Sequence, residues 1–152
     1  MHILTRSALA LVSVLVVVTT TAGTARTQAD TDRQAIVKTA LDYIEGYYTG
    51  DAVRMERALH PELAKRIVRM DAAGKPRLEH MGAAQLVKIA GSRAGAPPLK
   101  QQMKDVTVLD VFGNTASVKI VANDWIDYLH VAKWEGRWLI VNVLWEMKPR
   151  NP

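Results

Sequence analysis

The sequence predicts an α+β fold in which three N-terminal helices pack on a curved antiparallel sheet, made of a short hairpin and a four-stranded meander. Residues 127–145, DYLHVAKWEGRWLIVNVLW, carry three of the four tryptophans and divide into two apolar runs at Glu135-Gly136. Apolar runs of this kind, rich in Trp, Val and Ile, are typical of paired strands. Helical periodicity, in contrast, is found only before residue 92. Helices that are grouped before a long run of strands, rather than alternating with single strands, are typical of α+β domains.

The first predicted helix covers residues 33–49, with Asp32 as its N-cap. Its apolar positions recur at helical spacing and form one broad arc: Ile36, Val37, Ala40, Leu41, Tyr43, Ile44, Tyr47 and Tyr48. The polar face opposite this arc carries Lys38, Asp42 and Glu45. We expect the arc to lie on the sheet, where Tyr43 and Tyr47 either pack in the core or line a cavity.

Four shorter elements are predicted before the meander. Asp51 caps a helix over residues 52–59, which ends before Pro61 because a residue that precedes proline is steered away from the helical conformation. Residues 61–65 can add one more turn. Two short strands then follow at residues 66–70 and 77–80, and a third helix at residues 82–91. The loop after this helix holds Gly95 and Pro97-Pro98.

The meander is predicted at residues 104–111, 115–122, 127–134 and 137–145. Simple alternation in the last strand gives two faces, one with Trp138, Ile140, Asn142 and Leu144, the other with Leu139, Val141, Val143 and Trp145. Both faces are largely apolar, so we expect both to be covered. A helix covers one face, and a second layer or a second copy of the chain covers the other.

The turn at Glu135-Gly136 has two possible geometries. A two-residue turn places Leu129 opposite Asn142, and Asp127 then shares the face of Asn142. Glu disfavours the positive φ that this turn requires, so a type I turn with Gly136 as a left-handed bulge residue is the alternative. The bulge shifts the pairing by one residue. In that case Tyr128 and His130 share the face of Asn142. The two registers therefore expose different polar sets.

The length of 152 residues suits one domain.

Residues 1–25 predict a secretory signal peptide, because Arg6 precedes an apolar run at residues 8–18 and small residues favour cleavage after Ala25. An uncleaved anchor is the alternative. Cleavage gives an exported protein, periplasmic or extracellular and free of the membrane, with a flexible start at residues 26–31. One domain at residues 32–148 and a tail at residues 149–152 complete the chain. The absence of cysteine excludes disulfides and lipid attachment at a cysteine.

The formal net charge of +5 comes from basic residues interspersed with acidic ones. The exception is residues 65–77, where five basic residues accompany Asp71 alone. This segment is either a patch for an anionic surface or a solvated hairpin. The sequence predicts no nucleic-acid partner, since no aromatics interleave with these charges.

The sequence also predicts no metal and no cofactor, since zinc-ligand spacing, phosphate-binding glycine loops and nucleophile elbows are all absent.

Three segments carry a resemblance to a known family. They are ALDYIEGYYTGDAVRMERALHPELAKR at residues 40–66, VTVLDVFGNTASVKI at residues 106–120, and DWIDYLHVAKWEGRWLIVNVLWEMKP at residues 124–149. Together they resemble the nuclear transport factor 2-like superfamily, whose cone-shaped α+β fold is shared with ketosteroid isomerase and scytalone dehydratase. Within that superfamily the sequence looks most like the putative lumazine-binding family. The superfamily contains enzymes and non-enzymatic binders, so the resemblance implies the fold and leaves the activity open.

The resemblance implies an apolar pocket inside the cone, between the first helix and one face of the meander. Asn142 is the main candidate for lining it, because a buried amide in an apolar strand must find a partner. That partner is a ligand, or else a neighbouring side chain or water. Tyr43, Tyr47 and Trp138 are the further candidate ligand-binding residues. A small molecule is therefore one expected partner, and a second copy of the chain on the outer sheet face is the other.

The candidate catalytic residues are Asp127, Tyr128 and His130. The resemblance to ketosteroid isomerases and scytalone dehydratases suggests a base beside a hydroxyl donor. Asp127 and Tyr128 are adjacent in a strand and point to opposite faces, so His130 with Tyr128 forms the better pair. His130 is otherwise an exposed sheet residue. Three hypotheses follow: a non-catalytic binder of a small molecule, a small lyase, isomerase or hydrolase using His130, Tyr128 and Asn142, or a protein-interaction module.

Overall fold

A computed structural model describes residues 22–93 and 98–149, and their side chains from residue 27 onward. Its elements, in chain order, are α1 (Ala22–Thr49), α2 (Ala52–Ala58), β1 (Leu59–Met70), β2 (Pro76–Met81), α3 (Ala83–Gly91), a 3-10 turn (Leu99–Gln101), β3 (Lys104–Phe112), β4 (Thr115–Ala122), β5 (Trp125–Trp134) and β6 (Arg137–Met147). Most of the predicted signal peptide and tail lie outside the described residues. Among the described helices, none has the length and apolarity needed to cross a membrane.

The strands form one six-stranded sheet in the order β2-β1-β6-β5-β4-β3. The predicted α+β class is confirmed, with three helices on a hairpin and a meander. One pairing differs from a purely antiparallel sheet, because β1 runs parallel to β6 and places Ala64 opposite Asn142. Parallel neighbours need a long crossover connection. Here β2, α3 and the first three strands of the meander supply that connection.

The predicted apolar arc of α1 faces the sheet. Its fully buried members pack with the inward side chains of β4, β5 and β6 in one core: Ile36, Ala40, Tyr43, Ile44, Tyr48, Val118, Ile120, Leu129, Val131 and Ile140. The helix begins at Ala22, however, and not after Asp32. Asp32 therefore caps nothing, and its carboxylate accepts hydrogen bonds from Lys133 and Trp138 on the meander. No proline interrupts residues 22–49, so the polar start continues the helix.

The first strand is longer than the sequence predicted. A further helical turn was expected at residues 61–65, but β1 already begins at Leu59 and passes through Pro61. The pairing with β6 is irregular between Leu59 and Ala64, and such a bulge tolerates a proline that cannot donate a ladder hydrogen bond. From there the strand alternates regularly and buries Leu63, Lys65 and Ile67 on the concave side.

The β5–β6 hairpin combines both registers considered from the sequence. Glu135 and Gly136 have φ angles of 49° and 78°, so the turn is the two-residue type with both residues left-handed. Trp134 accordingly pairs with Arg137. A bulge at Val141 then shifts the ladder, so that His130 pairs with Asn142. The bulge also breaks the predicted alternation of β6, whose core residues are Trp138, Ile140 and Val143.

Candidate functional site

A cavity of about 220 Å³ lies between α1, α3 and the end of the sheet where β5 begins and β6 ends. Tyr43 and Tyr47, one helical turn apart on α1, form one wall. Trp125 and Trp145 form part of the opposite wall, because β5 and β6 pair antiparallel at this end of the sheet. The remaining lining side chains are Tyr48, Lys65, Met81, Leu86, Ile89, Arg93, Asp124 and Met147. The cavity is thus mainly aromatic and aliphatic, with a few charged groups.

The floor of the cavity is a hydrogen-bonded cluster around the fully buried carboxylate of Asp127. Lys65 Nζ donates to Asp127 Oδ1 at 2.5 Å and to the Tyr43 hydroxyl at 2.6 Å. Trp125 Nε1 donates to Asp127 Oδ2 at 2.6 Å, and the Tyr43 hydroxyl donates to the same oxygen at 3.2 Å. Three side chains from three elements therefore hold one carboxylate in place.

Burial shapes the ionisation of this cluster. It lowers the pKa of the Lys65 ammonium below its ordinary value, and the neighbouring Asp127 carboxylate opposes that change. Burial and the Asp127 charge together raise the pKa of the Tyr43 hydroxyl well above its ordinary value. Tyr43 therefore stays neutral and acts as a hydrogen-bond relay between Lys65 and Asp127. The cluster is best described as a compensated ion pair with neutral donors around it.

Two side chains that line the cavity each carry a buried donor atom that lacks an acceptor among the described residues. The two atoms are Trp145 Nε1 and Arg93 Nε. The Arg93 guanidinium lies 4.1 Å from the centre of the Tyr47 ring, and Lys65 Nζ lies 4.7 Å from the ring of Trp145. The cations of this site therefore stack on its aromatic walls.

The structure distributes the predicted ligand-binding residues over three places. Tyr43 and Tyr47 line the cavity. Trp138 does not, because it is buried in the core near the start of β6, away from the cavity. Its Nε1 donates to Asp32 at 3.0 Å. Asn142 does not line the cavity either. Its carbonyl oxygen accepts from Arg66 at 2.7 Å, and its amide nitrogen lies 3.3 Å from His130 Nδ1.

The bulge at Val141 explains why Asn142 lies outside the cavity. It turns Asn142 to the outer face of the sheet, which also carries the exposed Tyr128 and His130. The predicted grouping of these three residues on one face is thus found, but on the face opposite the cavity. Asp127, the third catalytic candidate, points inward and is buried in the floor.

Sequence reasoning missed Lys65, Arg93 and Trp145 as site residues. For Lys65 a signal existed, because the alternation of β1 places it between Leu63 and Ile67, both buried. The expected break at Pro61 concealed that alternation. Arg93 follows the end of α3 and belongs to no periodic pattern, so the sequence contained no signal for it.

A second, larger groove of about 640 Å³ lies on the outer side of α1. It is lined by Val37, Leu41 and a set of charged side chains that includes Lys38, Asp42 and Arg54. These charges pair with one another, since both Lys38 and Arg54 donate to Asp42. The groove therefore offers few unpaired polar groups to a ligand, in contrast to the aromatic cavity.

Comparison with known proteins agrees with this architecture. The family model described as putative lumazine-binding matches residues 31–146. The comparison with curated proteins gave no match.

Several solved structures share the fold. An NTF2-like protein of unknown function from Shewanella baltica OS155 superposes with a TM-score of 0.65 at 21% identity, covering 80% of this chain and 97% of the other. One from Methylobacillus flagellatus KT gives 0.62 at 20% identity, covering 78% and 93%. An NTF2-like protein with a cystatin-like fold from Novosphingobium aromaticivorans gives 0.62 at 13% identity, covering 86% and 91%. At these identities the likeness shows the fold alone.

Proposed function

The chain belongs to the putative lumazine-binding family of the nuclear transport factor 2-like superfamily, and we propose that it binds a small planar molecule in the aromatic cavity without transforming it. The observation that carries this proposal is the cavity itself, with the Tyr47, Trp125 and Trp145 rings on its walls and a fixed polar floor. Mainly apolar walls with a few placed polar groups are typical of small-molecule sites.

The volume limits the size of the ligand. At about 220 Å³ the cavity is smaller than the range that begins near 300 Å³ for drug-sized ligands. It is larger than a cavity of about 150 Å³ that accommodates benzene. One ring or two fused rings therefore match the space. Lumazine, the ligand in the family's description, is a planar molecule of two fused rings and belongs to this size class.

The distribution of polar groups favours binding over catalysis. Asp127, the candidate base nearest the cavity, already accepts from Lys65, Trp125 and Tyr43. His130 and Tyr128 lie on the outer face and cannot meet a ligand inside the cone. A lyase or isomerase mechanism based on His130, Tyr128 and Asn142 would need a separate site on the outer face.

A titration with small aromatic molecules tests the proposal. We expect lumazine, or another one- or two-ring member of an aromatic fragment set, to shift the indole resonances of Trp125 and Trp145 in nuclear magnetic resonance spectra. Ile89→Trp fills the cavity from α3 and should weaken binding at least tenfold. Lys88→Trp is the matched control, because it adds the same side chain at the neighbouring exposed position. Binding that survives Ile89→Trp unchanged would rule out the cavity, as would a fragment set without a single binder.

We further propose that a second copy of the chain covers the outer sheet face. Four large apolar side chains are exposed there on neighbouring strands, namely Val68, Leu78, Tyr128 and Leu144. The pairs Val68–Leu78 and Tyr128–Leu144 lie directly across strands, so they form contiguous apolar surface. A self-complementary contact through such a surface is the simplest way to bury it.

Light scattering after size exclusion tests the dimer. We expect a particle of twice the chain mass, which Leu144→Arg should convert to the monomer. Leu99→Arg, on the 3-10 turn outside the sheet, places the same charge on an exposed leucine and should leave the dimer intact. A wild-type protein that is monomeric at high micromolar concentration would contradict the proposal.

We also propose that the protein is exported with cleavage after Ala25. The contacts of α1 support this, because Asp32 and Arg33 bind the sheet beyond the proposed cleavage point. Removal of residues 1–25 would keep both of these contacts. Amino-terminal sequencing of the protein secreted by an expressing bacterium should begin at Arg26, whereas an intact leader in the membrane fraction would indicate an anchor.

A further inference from the structure

We infer that the cavity accepts a ligand that carries a hydrogen-bond acceptor, most favourably a carboxylate on an aromatic ring. This inference rests on the proposed function, because it specifies the chemical class of the molecule bound at that site. It derives from the balance of donors and acceptors on the cavity wall.

Two of the side chains that line the cavity carry a donor that no described residue satisfies. Trp145 Nε1 and Arg93 Nε are both buried, and neither has an acceptor among the described residues. A buried donor without a partner costs about 1–3 kcal/mol, and native proteins leave few such groups. Two such groups in the lining of one small cavity favour a ligand as the source of the missing acceptor.

The acceptors of the Asp127 cluster and of Tyr48, in contrast, already receive hydrogen bonds from the protein. The Asp127 carboxylate receives hydrogen bonds from Lys65, Trp125 and Tyr43. The hydroxyl of Tyr43 accepts from Lys65, and that of Tyr48 accepts from the backbone amide of Asn123. A ligand with only donors would therefore find no free acceptor in this cluster.

The charge of the wall favours an anion over a neutral acceptor. The Lys65 ammonium is compensated by Asp127, whereas the Arg93 guanidinium stacks on Tyr47 and forms no salt bridge within the described residues. The other carboxylate among the lining residues, Asp124, is exposed to solvent at the rim, where water screens it. A ligand carboxylate would supply the acceptor that Trp145 Nε1 and Arg93 Nε lack, and its hydrogen bond with Arg93 would be charge-assisted.

Three probes with the same ring system test this inference: 2-naphthoate, 2-naphthamide and 2-methylnaphthalene. Calorimetric titration should show 2-naphthoate binding about tenfold or more tightly than 2-naphthamide, since charge-assisted hydrogen bonds are roughly twice as strong as neutral ones. The methyl compound should bind most weakly. The indole N–H proton resonance of Trp145 should move downfield with 2-naphthoate because it gains a hydrogen bond. With 2-methylnaphthalene it should shift only by the ring current of the bound ring, without a comparable downfield movement.

Two variants locate the effect. Trp145→Phe keeps an aromatic wall and removes the indole donor, and Arg93→Gln removes the charge. Each should reduce the preference for 2-naphthoate over 2-methylnaphthalene at least fivefold, with thermal denaturation showing that the fold is retained. Lys88→Gln, the same charge change at an exposed position of α3, should leave that preference unchanged.

The outcomes separate this inference from the proposed function. Equal affinity for all three probes would overturn the inference and leave the binding function standing. A preference for 2-naphthoate that persists in both variants would also overturn it, because the anion would then be held elsewhere. If none of the three binds, the inference fails, and the aromatic fragment titration described above decides the binding function on its own.

Discussion

Asp42 and Asp127 are two buried carboxylates that each accept hydrogen bonds from three side chains, but the partners differ in kind. Asp42 forms salt bridges with three cations, Lys38, Arg54 and Arg57. Asp127 is met by one cation, Lys65, and by the neutral donors of Tyr43 and Trp125. The same chemical problem, a desolvated negative charge, is solved by an excess of positive charge in one region and by charge matching in the other.

The Asp42 cluster can carry excess charge because its cations reach solvent. The side chains of Lys38 and Arg57 are 70% and 47% exposed, so water compensates the unmatched charges. Burial alone would raise the pKa of Asp42, but hydrogen bonds from Arg57, Arg54 and Lys38 hold it well below its ordinary value. The cluster fastens α2 onto α1, beside Gly46, where an added Cβ would lie 2.9 Å from the backbone nitrogen of Met55.

The Asp127 cluster has no such access, since Lys65 and Asp127 are 7% and 0% exposed. Any unmatched charge there would remain in a medium of low dielectric constant. One ammonium for one carboxylate keeps the floor neutral, and the phenol and indole satisfy the second oxygen without adding charge. The solvent-facing cluster thus attaches α2 to α1, whereas the enclosed cluster forms a fixed polar floor beneath the cavity.

The largest expected effect comes from removing the cation of the enclosed cluster. Lys65→Met keeps the length of the side chain and leaves Asp127 buried without a counter-charge. Breaking a buried ion pair in this way costs about 3–5 kcal/mol of unfolding free energy, measured by urea denaturation. Lys88→Met, at an exposed lysine of α3, should change the unfolding free energy by less than about 0.5 kcal/mol.

A second substitution separates charge from packing. Lys65→Met combined with Asp127→Asn removes both charges and still offers an oxygen to Trp125 Nε1 and the Tyr43 hydroxyl. The double variant should recover at least half of the stability that Lys65→Met loses, which a double-mutant cycle would report as a coupling energy. If Lys65→Met lowers the unfolding free energy no more than Lys88→Met does, the ion pair of Lys65 and Asp127 does not stabilise the fold.

A smaller effect is expected at Asp42. Asp42→Asn should cost about 1–3 kcal/mol at neutral pH, because the released arginines can turn toward water. The folded-state pKa of Asp42 lies below the ordinary value of 3.8, so its stabilisation is present above that value and is lost as the pH falls through the lowered pKa. The stability gap between wild type and Asp42→Asn should therefore narrow below about pH 4. A gap that is constant from pH 7 to pH 2 would contradict an electrostatic origin.

The two clusters also mark where sequence reasoning succeeds and where it stops. The apolar arc of α1 and the meander follow from local periodicity, so the fold class could be predicted. Asp42 was placed on a solvated face because the periodicity of α1 does not show that α2 lies over it. Asp127 and Lys65 are 62 residues apart, and they come together because β6 pairs with both β1 and β5.

The position of Asn142 shows the same limit on a smaller scale. Its polarity within an apolar strand was a real signal, and the structure does give it specific partners, Arg66 and His130. The single bulge at Val141 decided the face on which those partners lie. A bulge of one residue has no reliable signature in a run such as WLIVNVLW, because every residue except Asn142 is apolar and nothing marks where the alternation shifts.

The smallest expected effect, and the sharpest test of the comparison, is the response to salt. At about 1 M ionic strength the screening length falls to about 3 Å, so charges that reach water lose most of their interaction. The cost of Asp42→Asn should fall by a few tenths of a kcal/mol or more between about 0.05 M and 1 M sodium chloride. The loss of unfolding free energy caused by Lys65→Met should stay the same, because no solvent ions reach the floor of the cavity. Comparing each variant with wild type at the same salt concentration cancels the general effect of salt on folding. Equal salt sensitivity of the two costs would mean that water reaches both carboxylates, and the contrast between an exposed and an enclosed cluster would not hold.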